Sequence, residues 1–163
     1  MLQLFLVLHV LGAIFVFGPS VAFTFLASEA RRMPQAGHFA AVVGDAIERK
    51  VVLPGAVVQG VTGVGLILIG GFDLTQQANR WLLGGIVLYA IAIVFAFAVQ
   101  ARNAEKMVHL TKTPPPAPAP GDPAPSGPPP EIVATGRALA RGGMFLTGMI
   151  VLIVILMVTK PGI

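Results

Sequence analysis

Residues 51–71 read VVLPGAVVQGVTGVGLILIGG, twenty-one positions without one Asp, Glu, Lys or Arg. About 20 apolar residues in a helix cross the ~30 Å hydrocarbon core of a bilayer. The run is too long for a strand and too uniformly apolar for a helix lying on a soluble core. It reads as a membrane span, and the rest of the chain repeats it. Similar runs extend from Leu2 to about Leu26, from about Trp81 to Ala101, and from about Gly143 to Thr159. The last is short. Pro130 followed by Glu131 suits a helix start, since Pro has no N–H to waste and Glu opposes the positive helix end, so an extension from that point is expected.

Composition agrees. Of 163 residues 55% are apolar and 11% charged, with mean hydropathy +0.83, whereas a soluble domain carries roughly 25% charged residues. The expected fold is all-α, an integral membrane bundle of four antiparallel transmembrane helices. The first run lacks a basic leader and exceeds a signal-peptide core, so it is read as a retained helix.

Orientation follows from lysine and arginine. Segment 28–50 holds Arg31, Arg32, Arg49 and Lys50; segment 102–141 holds Arg102, Lys106, Lys112, Arg137 and Arg141. The remaining segments hold only Arg80 and Lys160. Nine against two places 28–50 and 102–141 in the cytoplasm and both termini outside an inner (plasma) membrane. The net charge of +4 is thereby assigned to topology and anionic headgroups, not to nucleic acid.

The organisation expected is three spans over 1–112, a Pro-rich cytoplasmic linker over 113–130, and the fourth span over 131–163. Ten prolines among residues 114–130 favour an extended, partly polyproline-II spacer. Near 35–50, Phe39, Val42, Val43 and Ile47 recur at helical spacing. Two readings remain open: an amphipathic helix on the membrane surface, or an extension of span two, with Pro54 marking a bend.

The absence of cysteine excludes disulfides, thiolate metal sites and Cys nucleophiles. No Asp, Glu, Lys or Arg falls centrally in a span, which argues against an ion-driven transporter. Signatures of hydrolases, kinases and metalloproteases are missing. Span two is rich in glycine, which favours tight helix packing; room for a flat cofactor is the minority reading. Gln59 and Thr62 share a face with Gly63 and read as polar glue between helices, with a ligand contact as the alternative.

His9 lies two turns into span one, with Gly12 and Ala13 one turn further on. An imidazole in hydrocarbon needs a partner. It reads either as a hydrogen bond to another helix or as a haem or metal ligand, since haem iron is commonly held by His. Met144, Met149 and Met157 do not share one face and read as adaptable packing. His9, Arg80, Trp81 and Lys160 are expected to converge in the external half, where Arg80 or Lys160 suits a haem propionate. Trp81 also suits an interfacial anchor.

Three stretches, Leu8-His9-Val10-Leu11-Gly12-Ala13, Arg80-Trp81-Leu82-Leu83-Gly84 and Met157-Val158-Thr159-Lys160-Pro161-Gly162, carry a resemblance. The chain resembles a family of bacterial four-span predicted integral membrane proteins of unknown function. More distantly it is similar to haem-binding membrane protoporphyrinogen oxidases and to copper-resistance membrane proteins. The oxidase resemblance implies haem b with His9 as an axial ligand, yet the lysine those enzymes place after the third-span tryptophan is missing from Trp81-Leu82-Leu83-Gly84-Gly85. Two functions are therefore expected to compete. One is a small non-enzymatic membrane protein, an oligomer or an accessory subunit, packing through Gly-rich faces. The other is a haem-b redox protein or oxidase-like enzyme using His9.

Overall fold

A computed structural model describes residues 1–113 and 127–161, and among them every element is helical. The helices are α1 (Leu2–Arg32), α2 (Gly37–Ile47), α3 (Leu53–Gly70), α4 (Arg80–Phe95), α5 (Ala101–Lys112) and α6 (Pro130–Thr159). Two π turns, Glu48–Val52 and Ala96–Gln100, join α2 to α3 and α4 to α5. Four continuous rods of 31, 34, 36 and 30 residues result, each long and apolar enough to cross a membrane.

At 1.5 Å per residue all four rods outrun the ~30 Å hydrocarbon core. The excess accumulates at one end. All nine basic residues of 28–50 and 102–141 lie on helix there, so most of what reads as loop from the sequence is helix. The first two rods are joined at this basic end through Met33 and a short 3₁₀ turn, Pro34–Ala36. Of the two readings for residues 35–50, extension of span two is the one adopted: Gly37–Gly70 is one rod. Its ladder is relaxed into a π turn just before Pro54, which has no N–H to give. The expected start of the last helix holds, at Pro130. Most of the expected Pro-rich linker, 114–126, lies outside the described residues.

The rods pair as two hairpins, α1 with α3 and α4–α5 with α6, and the hairpins meet chiefly at the basic end, where α2 packs on α5. Each hairpin is closed by a seam of side chains seated on glycine. In the first, Phe5 lies over Gly65, His9 over Gly63, and Val16 over Gly55, while Gln59 lies over Gly12. In the second, Met157 lies over Gly85, Leu156 near Gly84, and Gln100 over Gly142, with Phe95 against Phe145 at 4.7 Å between ring centres. Small residues let backbones approach in lipid, where dispersion and weak polar contacts drive association. Large apolar side chains point outward along every rod, and among the described residues no large side chain is fully enclosed. The small buried cluster of Leu53, Ala96 and Ala101 with Leu146 sits beside the two π turns.

At the opposite end, Gly71 adopts a left-handed conformation (φ 66°) that closes α3 and turns the chain. Asp73 organises that turn, accepting from Thr75 N and Oγ1 and from Gln76. The Thr75 hydrogen bonds hold its carboxyl below the usual aspartate range.

Candidate functional site

The first seam carries the polar groups of the membrane interior. Thr62 Oγ1 donates to its own helix, to Val58 O at 2.9 Å. With its one hydrogen spent, it faces His9 as an acceptor, so Nδ1–H of His9 donates to it across 3.1 Å. The neutral ring then has one lone pair left, on Nε2, and Gln59 Nε2 lies 3.1 Å from it. His9, Gln59 and Thr62 thus form a clamp between α1 and α3, and Thr62 is buried. The two glycines make it possible. A Cβ at Gly12 would stand 2.6 Å from Gln59 Oε1, and one at Gly63 would stand 3.1 Å from His9 Cε1.

This geometry decides what the histidine offers. A haem iron needs an unshared ring nitrogen and a flat space beside it. Here both nitrogens are engaged, and the spaces left by Gly12 and Gly63 are filled by Gln59 and by the imidazole itself. The residues as arranged do not fit an axial haem ligand. Nor do the described residues contain a cluster of three His, Cys, Asp or Glu side chains able to hold a metal. One acceptor of the clamp, Gln59 Oε1, is buried without a hydrogen-bond partner among the described residues.

The other expected members sit on the second hairpin. Trp81 is 6% exposed, with Lys160 Nζ 5.7 Å from its ring centre and Phe72 edge-on at 6.4 Å. Lys160 reaches it from a left-handed residue (φ 42°) ending α6. Arg80 is exposed. The structure therefore brings together His9 with Gly12, and Trp81 with Lys160, as two places on different hairpins. Among the described residues no hydrogen bond or ring contact joins His9 to Arg80, Trp81 or Lys160. Trp81 serves as a packed cap at the end of the second hairpin, under a cation.

Several polar residues that sequence reasoning passed over hold the hairpins together. Tyr89, the one tyrosine of the chain, donates from mid-span to Ala56 O and sits against Gly60, bridging spans two and three. A phenol in mid-membrane must find an acceptor, and that was the available signal. At the basic end Arg49 binds both Asp45 and Glu105 at 2.9 Å, and His38 meets Thr111 at 3.1 Å. Within the second hairpin, Gln100 Nε2 donates to Leu139 O at 3.3 Å. Glu48, in the first π turn, is 5% exposed and its Oε1 has no partner among the described residues. Desolvation, with Asp45 adding repulsion and Arg49 opposing it, pushes its carboxyl up to about 7.

Four membrane-length rods, two glycine seams and a polar clamp between the first two rods define a multi-pass integral membrane protein. The chain belongs to the family described as "Predicted integral membrane protein (DUF2269)", whose model matches residues 3–161. No curated protein and no solved structure matches the chain.

Proposed function

We propose that the protein is a small non-catalytic membrane bundle that associates laterally, with copies of itself or as an accessory subunit of a larger membrane complex, through the outward face of α6. One observation carries this reading. The seam glycines are occupied within the chain, whereas Gly143 and Gly148 on α6 have nothing within 4 Å, and Thr147 between them is exposed. Gly18 is similarly open but adjoins Pro19. Gly143 and Thr147, four residues apart, lie on one helical face with Gly148 beside it, and a small-residue surface with a hydroxyl suits close approach of another membrane helix. The nine-to-two charge bias supports residence in the inner membrane with both ends outside.

The test is the mass and cross-linking pattern of the full-length protein in native membranes and in mild detergent. Self-association that is lost in T147L/G148L, with thermal stability unchanged, is the expected result; cross-links to a different membrane subunit that are lost in the same variant support the accessory role. A strictly monomeric, uncross-linked protein in native membranes refutes the reading.

The competing function, a haem-b redox protein or an oxidase-like enzyme, requires His9 Nε2 to exchange Gln59 for iron. Expression with ample haem decides it. A colourless preparation leaves His9 as a clamp residue. A Soret band that vanishes in H9A, while the protein still inserts, would make His9 the ligand and displace the non-catalytic reading.

A further inference from the structure

We propose that the basic end of the bundle carries a binding site for one anionic phospholipid, its two chains seated on either side of Phe97. Two shallow grooves share that ring. One, of about 300 Å³, is lined by Arg49, Leu53, Pro54, Val57 and Phe97. The other, of about 460 Å³, is lined by Ile93, Val94, Phe97, Ala98 and Arg102. Each has an apolar wall that ends in a single arginine.

The lengths fit one leaflet. From Arg49 to Val57 is eight residues and from Arg102 to Ile93 is nine, roughly 12 and 14 Å at 1.5 Å per residue. Half the hydrocarbon core is about 15 Å. Each groove therefore runs from headgroup depth toward the midplane, with its cation at the headgroup end. Phe97, 45% exposed, stands between them as a divider. Two apolar grooves under neighbouring cations match a diacyl lipid with one phosphate.

Charge selects the headgroup. Arg49, Lys50, Arg102 and Lys106 follow one another along the two rods at this level, against Asp45, Glu105 and the buried Glu48. Asp45 and Glu105 are both bound to Arg49, through Nε and one terminal nitrogen, which fixes its guanidinium and leaves further N–H groups. Arg102 is exposed and in no ion pair among the described residues, so its fork is free for a phosphate. Basic pockets between membrane helices are a recurrent mode of anionic-lipid recognition.

The experiment uses the delipidated full-length protein in mild detergent, titrated with phosphatidylglycerol or phosphatidylcholine of identical chains and read by native mass spectrometry. Phosphatidylglycerol is expected to be retained preferentially. R102Q should weaken its binding about fivefold, the effect of one cation near a headgroup. R102K should restore most of it, and R31Q/R32Q, at the end of α1, should change nothing. In a second measurement the fluorescence of F97W should be quenched by phosphatidylglycerol with brominated chains. Equal retention of the two lipids overturns the proposal. So does wild-type binding in R102Q, an equal loss in R31Q/R32Q, displacement of the lipid by the same concentration of inorganic phosphate, or absence of quenching in F97W.

Discussion

Replacing Glu48 by glutamine isolates one buried carboxyl and predicts how stability depends on pH. Glu48 is enclosed in the first π turn with an oxygen that has no partner among the described residues, and its pKa stands at about 7 against an ordinary 4.5. An acid whose pKa is raised by folding holds its proton more tightly in the folded state. Its protonated form therefore favours folding fully below about 4.5; that contribution declines as pH rises from 4.5 to about 7, and above 7 both states are ionised and the slope vanishes. At about 1.36 kcal/mol per pH unit, the whole window amounts to about 3 kcal/mol. Glutamine keeps the shape and stays neutral. Thermal unfolding in detergent from pH 4.5 to 9 is the assay. E48Q and wild type should unfold together near pH 4.5. By pH 8 the variant should be more stable by up to about 3 kcal/mol, roughly 6–12 °C at the 2–4 °C per kcal/mol of soluble domains this size. E48A, which leaves a cavity, should lose stability across the range. Parallel profiles for wild type and E48Q, or a variant less stable at pH 8, would refute the assignment of a protonated buried carboxyl.

Tyr89→Phe removes the hydrogen bond that ties the hairpins in mid-span, and should lower stability by about 0.6 kcal/mol, at most about 1.7. Gly60→Ala, whose Cβ would stand 2.7 Å from Tyr89 Oη, should break the same contact, so that the double variant loses less than the sum of the two in unfolding measurements. Gly85→Leu forces Met157 off its seat and should cost about 1–3 kcal/mol by overpacking, while Gly148→Leu, facing open space, should leave unfolding of the monomer unchanged. A reporter active only in the cytoplasm, fused after Ile163, should be silent; activity there would reverse the orientation drawn from the basic residues.

Four spans are readable from Leu2, Val51, Trp81 and Gly143 onward because bilayer thickness imposes a length and a polarity that need no partner to be recognised. The continuation of those spans is less so. Residues 102–112 are too polar to resemble a span, yet they continue the third rod as helix and pack on α2 and α6. His9, Gln59 and Thr62 could each be singled out as polar groups in need of a partner. That they are one another's partners depends on the antiparallel register of α1 and α3, in which Gln59 falls opposite Gly12 and Gly63 opposite His9. The alignment of α4 with α6 joins Trp81 to Lys160. Glu48 shows the limit most sharply. As one acid beside Arg49 and Lys50 it reads as a solvated surface charge, and only the closure of the helices around the first π turn buries it. Hydropathy and charge bias, being sums along the chain, were determined by the sequence alone. Partner choice among the polar side chains was decided by the tertiary structure, because it depends on which helix faces which and at what height.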